Sequence, residues 1–339
     1  MSGASIPYHL RPHKSVDRRL FLDLLTRFER WRPLADYVYV SMGAYPLEDH
    51  KLVHRHLGIT RLVAFDRDEG IVARQKFNKP IETCHCLHMK SDALISSLDN
   101  ILTDCSFPNP AGIIIWLDYT DPRQIGQQIR EFESLSDKLR AGDLIRITVN
   151  AQPHALLDPE APGRTPLPAT EKREKQFQNL KRRIGEFLPS ESSPDDMTLE
   201  GLPLTISRSF GAAALKALPV TGRYTFCPLS IIRYADGEQM LSITGAVVAH
   251  DDKDALLERL DLKAWPFASP DWSDVHQLLV PALTIRERLF LERGIMNKLP
   301  TELVSELGFD AASDIPIEEF LKSYKSYYRF YPTLLTADI

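Results

Sequence analysis

Two residues raise the question of chemistry in this chain: Gly43, just past the apolar run 36–41, and Asp66, which follows the run 61–65. The stretch between them, within YVYVSMGAYPLEDHKLVHRHLGITRLVAFDRDEG (residues 37–70), reads as two strands with a helix between, the layout of a nucleotide-binding βαβ unit. A glycine at the end of the first strand lets the backbone approach a ligand that any side chain would push away. Gly43 alone fills that place, because Ala44 and Tyr45 stand where further glycines are usual. A carboxylate at the end of the second strand accepts two hydrogen bonds at once, which suits a pair of ribose hydroxyls. Asp66 comes 23 residues after Gly43, near the offset of about 20 found in such units. The competing reading makes Asp66 the cap of the helix that follows, RDEGIVARQ.

Asp118 and Tyr119 end the most apolar strand of the chain, AGIIIWLDYT, 111–120. A carboxylate behind such an apolar run needs backbone amides or a ligand as partner, and charged groups in apolar settings gather at functional sites. Four further groups have chemistry with a plain alternative. Lys90-Ser91-Asp92 follows a third strand near 83–89, where Ser91 or Asp92 either reads a ligand or caps a helix. Arg11 and Lys14 precede the first helix, and a guanidinium with an ammonium clamps a carboxylate or phosphate, or is simply solvated. His50 and His54 share a helix face at metal-ligand spacing, but the glutamate of an HExxH motif is missing. Cys84, Cys86 and His88 alternate along one strand face, and three ligands so spaced do not close a tetrahedron; buried thiols are the expectation.

These groups need elements to hold them. VDRRLFLDLLTRFERW, 16–31, is a helix with Leu20, Leu24, Phe28 and Trp31 on one face. Strands then alternate with helices: 47–57, a helix running to Phe77, DALISSLDNIL and QIGQQIREFESLSDKLR, ending in a fifth strand at 142–150. That alternation implies an α/β fold with a parallel sheet. Residues 151–203 break the pattern with proline, serine and charge, and hold one basic helix, 171–183. RYTFCPLSIIRYADGEQMLSITGAVV follows as two strands turned at Ala235-Asp236-Gly237. The expected organisation is a helical segment over 1–35, a domain over 36–250 with an insertion at 151–203, and a charged helical region over 251–339.

Composition bounds the setting. The 339 residues carry a net charge of -5 with 43% hydrophobic residues, so the surface as a whole is no nucleic-acid footprint. No apolar run reaches the roughly 18 residues of a membrane span, and the first residues lack a signal-peptide core. With four cysteines, a reducing cytoplasmic compartment is expected. Local surfaces stay open: the basic helix 171–183 could meet RNA, DNA or a partner protein, and its cations could equally be solvated. Phe320, Tyr324, Tyr327, Tyr328 and Tyr331, interleaved with Lys322, Lys325 and Arg329, either stack on nucleic acid or dock onto their own domain.

The stretches LRPHKSVDRRLFLDLL, YVYVSMGAYPLEDHKLVHRHLGI, IIIWLDYT and IRITVNAQP resemble a bacterial O-methyltransferase family, over roughly residues 8–153. The order of strands and helices is likewise similar to the class I methyltransferase fold, a Rossmann-like parallel sheet closed by an antiparallel hairpin. The resemblance implies S-adenosylmethionine as cofactor, lying across the carboxyl ends of strands one to three. It gives Gly43 the methionine moiety, Asp66 the ribose, Ser91 and Asp92 the adenine, and Arg11 or Lys14 the cofactor carboxylate. Asp118 and Tyr119 then face the transferred methyl, with Asp118 helping to remove a proton from an acceptor hydroxyl. The implied activity is methyl transfer to an oxygen or nitrogen of an unidentified acceptor. The resemblance also implies an antiphage gene neighbourhood, and with it a second expectation, an inactive subunit bound to partner proteins or nucleic acid in a defence complex.

Overall fold

Short runs rich in valine and isoleucine bury on both faces, and the helical segments between them bury one, so each of the first five strands is followed by a helix. The structure is a computed structural model that describes residues 11–158, 167–309, 311 and 315–332. Two compact units divide it, the larger formed by Leu24–Arg233 and Gly237–His276. The smaller holds the described residues of Met1–Asp23, Tyr234–Asp236 and Gln277–Ile339.

In chain order the elements are α1 (Pro12–Phe28), β1 (Val38–Ser41), α2 (Glu48–Leu57), β2 (Arg61–Asp66), α3 (Glu69–Asn78) and β3 (Cys84–His88). Then come α4 (Ser91–Ser96), α5 (Leu98–Asp104), β4 (Ile113–Asp118), α6 (Ile125–Lys138), β5 (Leu144–Asn150), α7 (Ala169–Ile184) and α8 (Gly201–Ala217). The remainder is β6 (Tyr224–Asp236), β7 (Glu238–Ala249), α9 (Lys253–Arg259), β8 (His276–Gln277), α10 (Ile285–Gly294), α11 (Pro300–Leu307) and α12 (Ile317–Tyr327).

The strands form one sheet in the order β3-β2-β1-β4-β5-β7-β6-β8. β1 lies parallel to β2 and to β4, with Val38 opposite Arg61 on one side and Ile113 on the other. β2 and β3 are parallel with Asp66 opposite His88, and β4 and β5 with Asp118 opposite Thr148. β7 runs antiparallel to β5, Leu144 facing Ala246, and Gly237 at φ +96° makes the turn from β6 to β7. This is the parallel sheet closed by an antiparallel hairpin of the class I methyltransferase fold. The order reverses between β1 and β4, since β2 and β3 build outward on one side and β4 and β5 on the other.

α6 buries Ile125, Ile129, Phe132 and Leu135 at helical spacing, and Phe132 meets Phe210 of α8 and Phe226 of β6 edge-on at 5.2 and 5.1 Å. Two expectations need adjusting. The single helix read over 92–102 is the pair α4 and α5, broken at Ser97. α8 has no counterpart in the sequence reading, because Gly201, Pro203 and Gly211 mask its pattern. Pro203 sits in the first turn, where its missing N–H costs nothing. Gly211 abuts Trp272, where a Cβ would come within 2.8 Å of the indole.

In the smaller unit the aromatic stripe is core. Phe320, Tyr324, Tyr327 and Tyr331 are buried. Tyr324 OH donates to Glu292 at 3.1 Å, Tyr331 OH to the Pro281 carbonyl at 2.7 Å, and Tyr327 OH to the Leu279 carbonyl. Docking on its own unit, rather than base stacking, is where those faces are spent. Asp236 accepts from the backbone N–H groups of His13 (3.3 Å) and Lys14 (2.8 Å), so the hairpin tip caps the start of α1. His13 Nε2 accepts from Val280 N at 3.0 Å, which leaves Nδ1 to donate to Asp236 at 3.0 Å.

Candidate functional site

β1 releases the chain into a turn that only certain residues can make. Gly43 and Ala44 both have left-handed backbone, at φ +64° and +44°. A Cβ on Gly43 would lie 2.7 Å from the ring of His50 and 2.8 Å from Leu47, so no other residue fits without displacing that packing. Beneath the turn is a buried polar network. Asp49 Oδ2 accepts from Tyr39 OH at 2.8 Å and Ser41 Oγ at 2.5 Å, and Gly43 N donates to Ser41 Oγ at 3.2 Å.

His50 is fully buried, with Nε2 3.1 Å from the Val63 carbonyl and Nδ1 3.4 Å from Asp49 Oδ1. Both ring nitrogens face acceptors, which is the pattern of an imidazolium. Burial, the largest single influence, pushes its pKa down, but the Asp49 charge and hydrogen bond together with the Val63 carbonyl outweigh it and the net direction is up. His54 gives Nδ1 to the Ile59 carbonyl at 3.0 Å, so the histidine pair is engaged locally rather than offered to an ion. Cys84 and Cys86 are buried free thiols, while His88 is exposed with Nε2 3.0 Å from the Arg67 carbonyl. Among the described residues no group of three or more His, Cys, Asp or Glu is placed to hold a metal.

The ends of the neighbouring strands supply the remaining groups. Asp66 closes β2 half-buried, and Oδ1 accepts from Asp68 N at 2.8 Å. Burial pushes its carboxyl above the ordinary value of 3.8, against the pull of the Asp68 amide. The cap of α3 is Asp68, whose Oδ1 accepts from Ile71 N at 3.0 Å, so capping does not account for Asp66. Ser91 and Asp92 open α4, and Asp92 Oδ1 accepts from Ala93 N at 2.8 Å. Asp118 is the last residue of β4, half-buried at the reversal point beside β1.

Tyr119, expected to face the reaction with Asp118, turns its buried phenol to Glu131 of α6 and to Ser91. Its backbone N–H bonds Thr148 O at 2.8 Å and its phenol donates to Glu131 of α6, itself held by Gln127 at 2.7 Å. Burial first, and then the Glu131 charge, push this phenol well above its usual range. The role its geometry gives is an anchor of the strand end on α6.

Gly43, Asp66, Ser91, Asp92 and Asp118 thus share one edge of the sheet, at the carboxyl ends of β1 to β4. In open α/β sheets ligands bind at that edge, where the strand order reverses. Arg11 and Lys14 belong to the smaller unit; Lys14 is buried there. An open cleft of about 530 Å³ lies at the opposite edge, lined by Arg32, Asn100, Asn109, Gly112 and Asp143. Asp49 and His50, the support under Gly43, were seen in sequence only as a helix start and half of a histidine pair. Nothing in the spacing marks them as buried partners of Ser41 and Tyr39.

Comparison with solved structures gives distant likenesses. A structure titled as the complex of LepI with SAM is 10% identical with a TM-score of 0.36, over 66% of this chain and 46% of LepI. The chain therefore spans under half of LepI's length. The N-methyltransferase NodS from Bradyrhizobium japonicum WM9 is 10% identical with a TM-score of 0.35, over 69% of this chain and 97% of NodS. A 16S rRNA (adenine(1408)-N(1))-methyltransferase variant from Catenulisporales acidiphilia, with cosubstrate SAM, is 11% identical, covering 66% of this chain and 91% of its own, with a TM-score of 0.31. No curated protein matches the sequence. The profile of one protein family matches residues 6–339, and on that match the chain belongs to the family described as "Putative O-methyltransferase".

Proposed function

We propose that this chain binds S-adenosylmethionine at the carboxyl ends of β1 to β4 and transfers its methyl group to an oxygen or nitrogen of an acceptor. The observation that carries the reading is a convergence: the left-handed turn at Gly43 and the carboxylates of Asp66 and Asp118 end neighbouring strands at the reversal point of the sheet. Family membership and the methyltransferase sheet support it.

When bound, the cofactor supplies an electrophilic methyl carbon on a sulfonium. The turn at Gly43 presents its backbone to the methionine end. Asp66 accepts from the two ribose hydroxyls, a use of its carboxylate that relieves its half-buried position. Ser91 and Asp92, which open α4, take the adenine amino group in this reading. Asp118 takes the proton of an acceptor hydroxyl on a carboxylate oxygen, and Tyr119 fixes the strand end that carries it. Transfer of this kind rests mainly on holding the reacting atoms in line, so it needs no triad.

Calorimetric titration of the purified protein with S-adenosylmethionine and S-adenosylhomocysteine tests the reading. Binding of both is expected, and no heat at millimolar cofactor would leave the second reading, a subunit that acts by binding partners. That reading has one observation of its own. α7 packs Phe177, Leu180 and Ile184 inward and presents Lys172, Arg173, Lys181 and Arg182 outward, a cationic face for a partner protein or nucleic acid. A cytoplasmic, antiphage setting extends the reading from the family resemblance, in keeping with four buried free thiols. No helix among the described residues is long and apolar enough to cross a membrane.

A further inference from the structure

Helix α3 buries one polar side chain completely, Gln75. Its Nε2 donates to the carbonyls of Met42 at 2.9 Å and Ala44 at 3.1 Å, the two residues that flank Gly43. Its Oε1 is buried with no hydrogen-bond partner among the described residues. An apolar side chain of that volume would remove the unmatched Oε1 but would strip the half-buried Met42 and Ala44 carbonyls of their donor, so what the amide supplies here is the support of those two residues. What the amide provides is a pair of N–H donors aimed at two carbonyls of a turn that is otherwise unfavourable. Gly43 and Ala44 both sit at positive φ, which for Ala44 is a conformation that needs outside support.

We infer that Gln75 is a positioning residue for the cofactor: it holds the Met42–Ala44 turn in the shape in which its backbone would meet the ligand. The inference rests on the reading of that turn as the cofactor's cradle. It acts through the backbone and touches no reacting atom. Gln75 differs from Ser41, Asp49 and His50, which brace the same turn through its N-terminal side and α2.

Two substitutions in the full chain separate this role from a structural one, with S-adenosylhomocysteine as the probe. Gln75→Met removes both donors at similar volume. It is expected to lower affinity about tenfold or more at both pH 5.5 and pH 8.5 while the protein still folds, with at most a modest fall in thermal midpoint. Gln75→Glu adds a pH signature. Burial raises the new acid's pKa; its protonated form keeps one O–H donor, and its ionised form keeps none and faces two carbonyls. Relative to wild type, its affinity is expected to fall about tenfold between pH 5.5 and pH 8.5. Affinity within twofold of wild type for both variants at both pH values would overturn the role of Gln75 while leaving the cofactor reading in place. If Gln75→Glu fails to fold, Gln75→Met decides; if neither folds, Gln75 belongs to the fold and the inference is overturned. Wild-type protein that binds no S-adenosylhomocysteine would overturn the cofactor reading itself.

Discussion

At Asp66, half-burial raises the carboxyl's pKa, and hydroxyls that donate to the ionised form would reverse that shift. A ligand that prefers the ionised form binds more weakly as pH is lowered through the raised value of the free protein. Affinity for S-adenosylhomocysteine is therefore expected to fall with acidity in wild type, and Asp66→Asn should flatten that limb in a calorimetric pH series. Asp66→Ala removes the acceptor pair and should weaken binding by about 1.5–3 kcal/mol, roughly tenfold or more. Asp118→Asn tests the proton acceptor: methyl transfer in cells is expected to be lost, with cofactor affinity within about twofold and the thermal midpoint little changed. If that variant unfolds, Asp118 is a structural carboxylate. His50 carries a pH dependence of stability. Its folded pKa lies above the ordinary 6.5, so the contribution of the Asp49 pair is complete below that value and is lost as pH rises through the folded one. In His50→Gln, the decline in thermal midpoint over that alkaline window should be absent.

Among the elements, α7 is where fold and recognition divide by helix face. Its inner face packs on α6 closely enough that a Cβ on Gly126 would come within 1.9 Å of the Arg183 carbonyl. On its outer face Lys175 pairs with Glu171 at 3.0 Å and Arg173 with Asp195 at 3.8 Å, while Lys172 and Lys181 make no ion pair among the described residues. Reversing Lys172, Arg173, Lys181 and Arg182 to Glu changes only exposed positions, so the fold and cofactor affinity (within about twofold) should persist. Association with an acceptor or partner should fall, most at low salt, where surface charge is least screened. Unchanged association in pull-downs at two salt concentrations would make α7 a solvated face.

Across the whole molecule, the smaller unit depends on a residue from the hairpin. Burial pushes the Asp236 carboxyl up, but the His13 ring and the backbone N–H of Lys14 outweigh it and hold it below 3.8. A depressed carboxyl contributes stability above its unfolded value and loses it as pH falls through the folded one. Asp236→Ala removes the cap and leaves buried donors unmatched, which should cost about 1–3 kcal/mol. Hydrogen exchange is the measurement: amides of α1's first turn and of 277–332 should exchange faster, and those of β1, β4 and β5 should not.

The sequence by itself determined the strand and helix order of the sheet, because buried parallel strands must be continuous apolar runs such as IIIWLD and LIRITVN. It marked Gly43, Asp66 and Asp118 as well, since each closes such a run and local position fixes which residue leaves a strand. It also favoured docking over base stacking for the aromatic tail, since a stripe at helical spacing is the signature of a packed face, and Phe320, Tyr324, Tyr327 and Tyr331 are buried. Only the tertiary structure decided what surrounds these residues. The bond from Gln75 to the Met42 and Ala44 carbonyls spans more than 30 positions of chain, and that from Asp236 to the start of α1 more than 220. Nothing local selects either pair. Tyr119 is the clearest case: beside Asp118 in sequence, it is turned onto Glu131 because adjacent residues at a strand end point to opposite faces of the sheet.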